Sequence, residues 1–383
     1  MVSRLSQVIV AAGLTLAVSI NAQAPPAAFH VIGYYADWTA TRYPLAGIPA
    51  AKLTHVNYAF GKIGPDNRLT FSAGPALETI YPGDCTDSGC RHGLFNQISL
   101  LKARYPHLKF LISIGGWTDS GPFYEMAAGE ASRRAFAQSC ADFLTTYPQF
   151  DGIDIDWEHP VIGGLERGQP RDAHDYVLLL GELRRAIGPA RLLTAAVSAS
   201  PRGIEPLEYV DMMKWLDWVS PMAYDFHSGN ATRAGYNAAL FNNNDPQNPK
   251  LNLHDTIQAM LAKGVPASKL VAGLAFFGKG WNGVSSADPW GAATATGAGG
   301  GYATIAERYL NAPGYVRYWD DVAKVPRLYN ADTKHWISYD DPQSIRLKGE
   351  YVAQQKIAGA MFWELSGDDG ALVDALRAGL GMP

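Results

Sequence analysis

The sequence predicts an α/β fold, a closed (β/α)8 TIM barrel with a small α+β insertion between its seventh strand and seventh helix. Eight short apolar runs recur, at residues 29–35, 53–60, 108–114, 152–157, 192–198, 218–224, 270–277 and 359–363. Segments with helical spacing, such as 172–187 and 253–263, lie between them, so the alternation is βα throughout. Eight such units in 383 residues suggest a barrel. A doubly wound open sheet is the competing topology, but no glycine-rich phosphate loop follows the first run.

Ahead of the first strand, residues 1–24 hold Arg4, an apolar run over 8–20 and the small-x-small end Ala22-Gln23-Ala24, the pattern of a cleaved signal peptide. A retained membrane anchor competes, but the run is short and contains Ser19. The expectation is a secreted chain, extracellular or periplasmic, with no membrane span once the signal is removed. Loss of Arg4 takes the formal charge from −4 to −5, and no basic stretch offers itself to nucleic acid. Ten Trp and 19 Tyr suit a neutral ligand that stacks on rings. Export permits a disulfide between Cys85 and Cys90 in their polar loop, while Cys140, on the apolar face of the helical run 135–150, reads as a buried free thiol.

The third strand ends Ser113-Ile114-Gly115-Gly116-Trp117, where paired glycines allow close backbone approach and Trp117 reaches the rim. The fourth, Asp151-Gly152-Ile153-Asp154-Ile155-Asp156-Trp157-Glu158, carries the strongest signal. Side chains alternate along a strand, so Asp154, Asp156 and Glu158 share one face at spacings of roughly 6–7 Å. Parallel strands are usually apolar on both faces, so three carboxylates there must share protons or hold raised pKa values, which is how a general acid is made. A solvated acidic face and a magnesium or calcium site are the competing readings. Asp151 differs in parity and reads as structural.

The sixth strand ends Met222-Ala223-Tyr224-Asp225 and the eighth Met361-Phe362-Trp363-Glu364. Between the seventh strand and the helical run 344–355, residues 282–339 interrupt the rhythm. They include a glycine-rich stretch, 291–301, expected to be flexible, and then Tyr302, Tyr309, Leu310, Tyr315, Tyr318 and Trp319, which are expected to build the insertion's core. The barrel is thus expected to span 25–281 and 340–383, with no appended binding module. An acidic trio, a Tyr-Asp pair and ring surfaces at strand ends describe a sugar-cleaving cleft.

This combination closely resembles glycoside hydrolase family 18, the chitinase family, whose fourth-strand signature Asp-x-x-Asp-x-Asp-x-Glu is matched by Asp151, Asp154, Asp156 and Glu158. The likeness extends to Gly33-Tyr34-Tyr35, the third-strand end, Met222 to His227, Phe276 to Trp281 and the eighth-strand end, and the insertion looks like the one that deepens the cleft in the long-cleft branch. The resemblance implies that Glu158 is acid and base, that Asp156 pivots between Asp154 and Glu158, and that Tyr224 helps hold the substrate's N-acetyl group. The acetamido oxygen would then be the nucleophile, giving an oxazolinium intermediate and retention.

Asp154 with Ser113 and Tyr34 would form the base of the relay. Trp363 would floor the distorted sugar, Met222 and Asp225 would line the same subsite, and Trp117 would be the leaving-side platform, with Phe60 and Gly116 also binding substrate. The implied substrate is chitin or chitooligosaccharide, with no cofactor and no metal, and the chain is expected to act as a monomer. Two departures from the family stand out: Phe277 and Lys279 occupy positions where Tyr and Arg are often found, and His159 follows the glutamate where Tyr or Phe is common. An endo-β-N-acetylglucosaminidase acting on glycoprotein glycans is one alternative and a non-catalytic lectin on the same barrel is another.

Overall fold

Parallel strands form the barrel of the computed structural model, which describes residues 29–85, 87, 89–227 and 232–383. The expected signal segment 1–24 lies outside the described residues. In chain order the strands are β1 (His30–Ala36), β2 (His55–Ile63), a short β3 (Leu69–Phe71), β4 (Lys109–Gly115), β5 (Gly152–Asp156), β6 (Leu192–Ser198), β7 (Trp218–Met222) and β8 (Val271–Ala275). A second group follows, β9 (Phe277–Asn282), β10 (Ala295–Gly301), β11 (Tyr315–Asp320), β12 (Val325–Asn330) and β13 (His335–Ser338), before β14 (Gly359–Trp363) completes the barrel.

The barrel order is β7-β6-β5-β4-β2-β1-β14-β8, with β3 antiparallel on β2. A parallel bridge between Val219 and Leu270 closes the ring. Each barrel strand is buried against helices outside and side chains inside, so the sequence reads there as nearly continuous apolar runs. Inside, Ile32, Tyr34, Ala59, Trp218, Val271 and Met361 pack together. His30, His55 and Trp218 close the end where the strands begin, with ring centroids 4.7–5.0 Å apart.

The helix Asp172–Ile187 matches its expected span. The helix before the acidic strand runs Glu130–Thr146, starting five residues before the expected 135. Its first turn is polar and invisible to apolar periodicity, yet Arg133 there is buried and donates from Nη1 to Ala127 O at 2.6 Å. Cys140 on this helix is a fully buried free thiol, and Cys85 and Cys90 are joined in a disulfide.

The run 270–277 divides between two sheets. β8 ends at Ala275, and from Phe277 the chain enters a five-stranded antiparallel sheet of order β10-β9-β13-β12-β11. The second sheet therefore begins on the barrel side of residue 282. The glycine-rich stretch, expected to be flexible, instead forms β10, with Gly297 opposite Gly280 and Gly300 opposite Gly278. Glycine is required for this pairing, because a Cβ on Gly280 would lie 2.0 Å from the carbonyl oxygen of Ala298.

The core of this sheet also differs from expectation. Trp281, Trp336, Tyr236, Val284, Val325 and Tyr329 build it, and Tyr236 comes from the loop after β7. Tyr318 packs at its edge, while Tyr302, Tyr309, Leu310 and Tyr315 pack against the barrel's outer core instead. Trp319 joins neither and hydrogen-bonds Asp321 Oδ1 at 3.0 Å.

Candidate active site

The register of three adjacent strands builds the base of the site. Ser113 on β4 and Thr194 on β6 are level with Asp154 on β5. All three point into the barrel, and Asp154 is 2% exposed. Its Oδ2 accepts from Tyr34 Oη at 2.6 Å and Ser113 Oγ at 2.7 Å, and its Oδ1 accepts from Thr194 Oγ1 at 2.5 Å. Burial raises the Asp154 pKa and these three donors oppose the rise.

One level higher, Asp156 is 4% exposed and its Oδ1 has no partner among the described residues. Burial, then the charges of Glu158 and Asp154, lift its pKa well above the carboxylate range. The strand ends here, two residues earlier than the pattern of alternating acids, yet the alternation persists. Trp157 turns outward, fully buried and stacked on Phe123 at 5.3 Å, while Glu158 faces the cleft. Ser120 holds this turn, accepting from Glu158 N at 2.8 Å and standing 2.9 Å from Gly116 O and 3.1 Å from Asp156 O. Burial and then the charge of Asp225 push Glu158 up to about 7. The free chain therefore presents at the mouth of the barrel a carboxyl that holds its proton well above the ordinary carboxylate range.

Above it opens a cleft of about 640 Å³. Of the expected residues, Trp117, Glu158, Met222, Tyr224 and Asp225 line it. Lys279 of β9 lines it as well, so the second sheet contributes to one wall. Burial, with Asp156 and Glu158 near it, holds Tyr224 protonated, and its ring meets Phe277 edge-on at 5.6 Å. Asp225 pairs with Lys279 Nζ at 3.0 Å and donates from its backbone N–H to Asn237 Oδ1 at 3.2 Å. Asn237 is buried and donates to Phe277 O, binding the β7 loop to the second sheet.

Trp363 does not line that cavity. It stacks on Phe60 at 5.7 Å and 13°, and lies 5.5 Å from the Tyr34 ring that bonds Asp154. Gly116 offers no side chain, and the space its Cβ would take is filled by the Phe60 ring at 2.7 Å, so it shapes the wall. Asp151 is structural, bonded by Lys102 Nζ at 2.5 Å and by the backbone N–H of Phe110 at 2.8 Å.

Sequence reasoning missed four residues. Thr194 was discoverable from its level on the neighbouring strand. Ser120, Asn237 and Trp38 sit in loops without a periodic signal. Trp38 is 57% exposed and extends the aromatic surface, 6.1 Å from Phe60 and 6.2 Å from Trp363.

A buried carboxylate stack under a ring-lined cleft at the strand ends of a (β/α)8 barrel is the arrangement that sugar-cleaving glycosidases use. The family model "Glycosyl hydrolases family 18" matches residues 30–368, and the chain belongs to that family. Chitinase A1 of Niallia circulans is 36% identical over 92% of this chain and 58% of its own length, so the chain spans little more than half of that curated relative. The structure of chitinase ChiA74 from Bacillus thuringiensis superposes with a TM-score of 0.84 at 35% identity, covering 93% of this chain and 70% of that one. A family 18 N-acetylglucosaminidase from Paenibacillus barengoltzii gives 0.80 at 32% identity, covering 92% of this chain and all of the other.

Proposed function

We propose that this protein hydrolyses β-1,4 bonds between N-acetylglucosamine units of chitin and chitooligosaccharides with retention of configuration. The observation that carries the reading is Asp156, a buried carboxyl at the level below Glu158 whose pKa burial and the neighbouring acids raise well above the carboxylate range, and whose Oδ1 has no partner among the described residues. That oxygen is poised to accept from the N–H of a substrate acetamido group, turning the group so that its carbonyl oxygen attacks the anomeric carbon. Glu158 gives its proton to the leaving oxygen and then, as carboxylate, takes one from the water that opens the oxazolinium ion. Tyr224, kept protonated, donates to the same acetamido oxygen, and Asp154 anchors the stack through Tyr34, Ser113 and Thr194.

The ring pair Trp363 and Phe60 supplies the apolar surface on which the distorted sugar rests, and Trp117 the platform for the leaving side. No second carboxylate nucleophile is required by this scheme. The wall contributed by the second sheet supports a polymer, and the leader-like segment 1–24 supports secretion as a monomeric depolymerase, with the insertion as a unit of its own.

The test is hydrolysis of a fluorogenic N,N′-diacetylchitobioside by the purified protein, beside Glu158→Gln and a substrate lacking the acetyl group. The expected result is turnover by the wild type and loss of at least ~100-fold in the variant and with the deacetylated substrate. An inactive wild type that binds chitooligosaccharides would make it a lectin. Preference for single terminal sugars, or release of glycans from glycoproteins, would move it to an N-acetylglucosaminidase, a reading favoured by the full-length match to the Paenibacillus enzyme.

A further inference from the structure

We propose that His159 is a positioning residue for the acid, its Nε2 holding one carboxyl oxygen of Glu158 so that the other faces the leaving side of the cleft. The proposal rests on the assignment of Glu158 as the acid. His159 follows Glu158 directly, and both side chains are 16% exposed. Its Nε2 stands 3.5 Å from Glu158 Oε2. At this distance the two atoms are in contact without a formed hydrogen bond, and such catalytic contacts tighten into one when substrate arrives.

The imidazole is placed by its own backbone. The His159 carbonyl accepts from Tyr124 Oη at 3.0 Å and from Gly163 N at 3.0 Å, which fixes the turn that carries the ring. Its Nδ1 is buried with no partner among the described residues, so Nε2 is the nitrogen facing the cleft and Glu158. Phenylalanine fills similar space without a nitrogen, and tyrosine carries its polar atom farther out. Neither can bond Glu158 from this position as an imidazole can.

The groups facing the pair are Asp156 below it, Tyr224 and Asp225 from the β7 loop, Lys279 from β9, and Tyr124, Asp119 and Glu166 on the Trp117 side. Burial lowers His159 to about 4, so the ring is neutral over the range in which Glu158 titrates. A neutral imidazole donating from Nε2 stabilises the Glu158 carboxylate, the form needed in the second half of the reaction, without stripping the proton needed in the first.

The experiment compares His159→Phe, which keeps a flat ring, with His159→Gln, whose amide nitrogen reaches the Nε2 position. We expect His159→Phe to lower kcat about tenfold with KM within about twofold, and to move the basic limb of kcat to higher pH. His159→Gln should restore both. A 13C carboxyl titration of Glu158, assigned against Glu158→Gln, reads the same contact without turnover, so it remains decisive if the wild type proves inactive. The Glu158 pKa should rise in His159→Phe and return in His159→Gln. An unchanged Glu158 titration in His159→Phe, or a His159→Gln variant as impaired as His159→Phe, would overturn the assignment and leave His159 as packing.

Discussion

On the proposed reading of Glu158 as the acid, single residues set the working pH of this site. Glu158 is lifted to about 7 by burial and then by Asp225, so the acid form declines as pH rises through that value and kcat should fall with it. The neighbouring charges can be edited in opposite directions. Asp225→Asn removes the charge that raises Glu158 and should move the basic limb to lower pH. Lys279→Met removes the cation 3.0 Å from Asp225 and should move it to higher pH. Profiles of kcat against pH for the two variants check this, and shifts of the same sign would show that Asp225 does not act through its charge. The lysine here lacks the bidentate fork of arginine, and the Asp225 side chain it pairs with stays 43% exposed at the cleft.

At the scale of elements, what was legible in the sequence is what repeats. β6 and β14 lie within the limits read from apolar runs, and the helix Asp172–Ile187 likewise, because apolar period reports burial directly. The acidic trio was legible because alternation survives past the end of β5. What was not legible depended on partners distant in sequence. β10 has the composition of a loop and becomes a strand because β9 lies against it with glycines opposite glycines. Tyr236 joins the second sheet's core from a loop some forty residues before β9 begins, a connection no local pattern contains.

The second sheet is fixed to the barrel at the start of the helix Pro342–Gln355. Asp341 caps that helix, accepting from Ser344 N at 3.0 Å, and also receives Arg317 of β11 at 2.6 and 2.9 Å. Asp341→Ala should therefore cost about 1–2 kcal/mol, more than Arg317→Ala, whose partner keeps its cap. Urea unfolding of both variants checks the order, and equal losses would mean that the ion pair, not the cap, carries the contact.

For the whole molecule, buried histidines and buried acids titrate in opposite senses. At the base His55 is 7% exposed and burial lowers it to about 3, so it is neutral when folded. The unfolded chain takes up that proton below about pH 6.5, and the stability this group supports is present above that value and lost as pH falls toward 3. At the mouth, Glu158 is raised to about 7 and Asp156 shifts in the same direction, so the folded chain keeps protons that the unfolded chain has released. Their contribution is intact below the ordinary carboxylate range and is lost as pH rises through about 7. Stability should accordingly pass through a maximum on the acid side of neutrality, with the raised acids at the mouth limiting it above and the lowered histidines His55 and His159 below. Glu158→Gln separates the two contributions, since the amide fills the same space and never ionises. Urea unfolding should find it about 2–4 kcal/mol more stable than wild type at pH 8, and indistinguishable at pH 4. A gain of equal size at both pH values would trace to packing and remove ionisation of the acid from the account. A gain confined to pH 8 would mean that ionisation of this buried carboxyl, the acid of the proposed reaction, costs the fold stability.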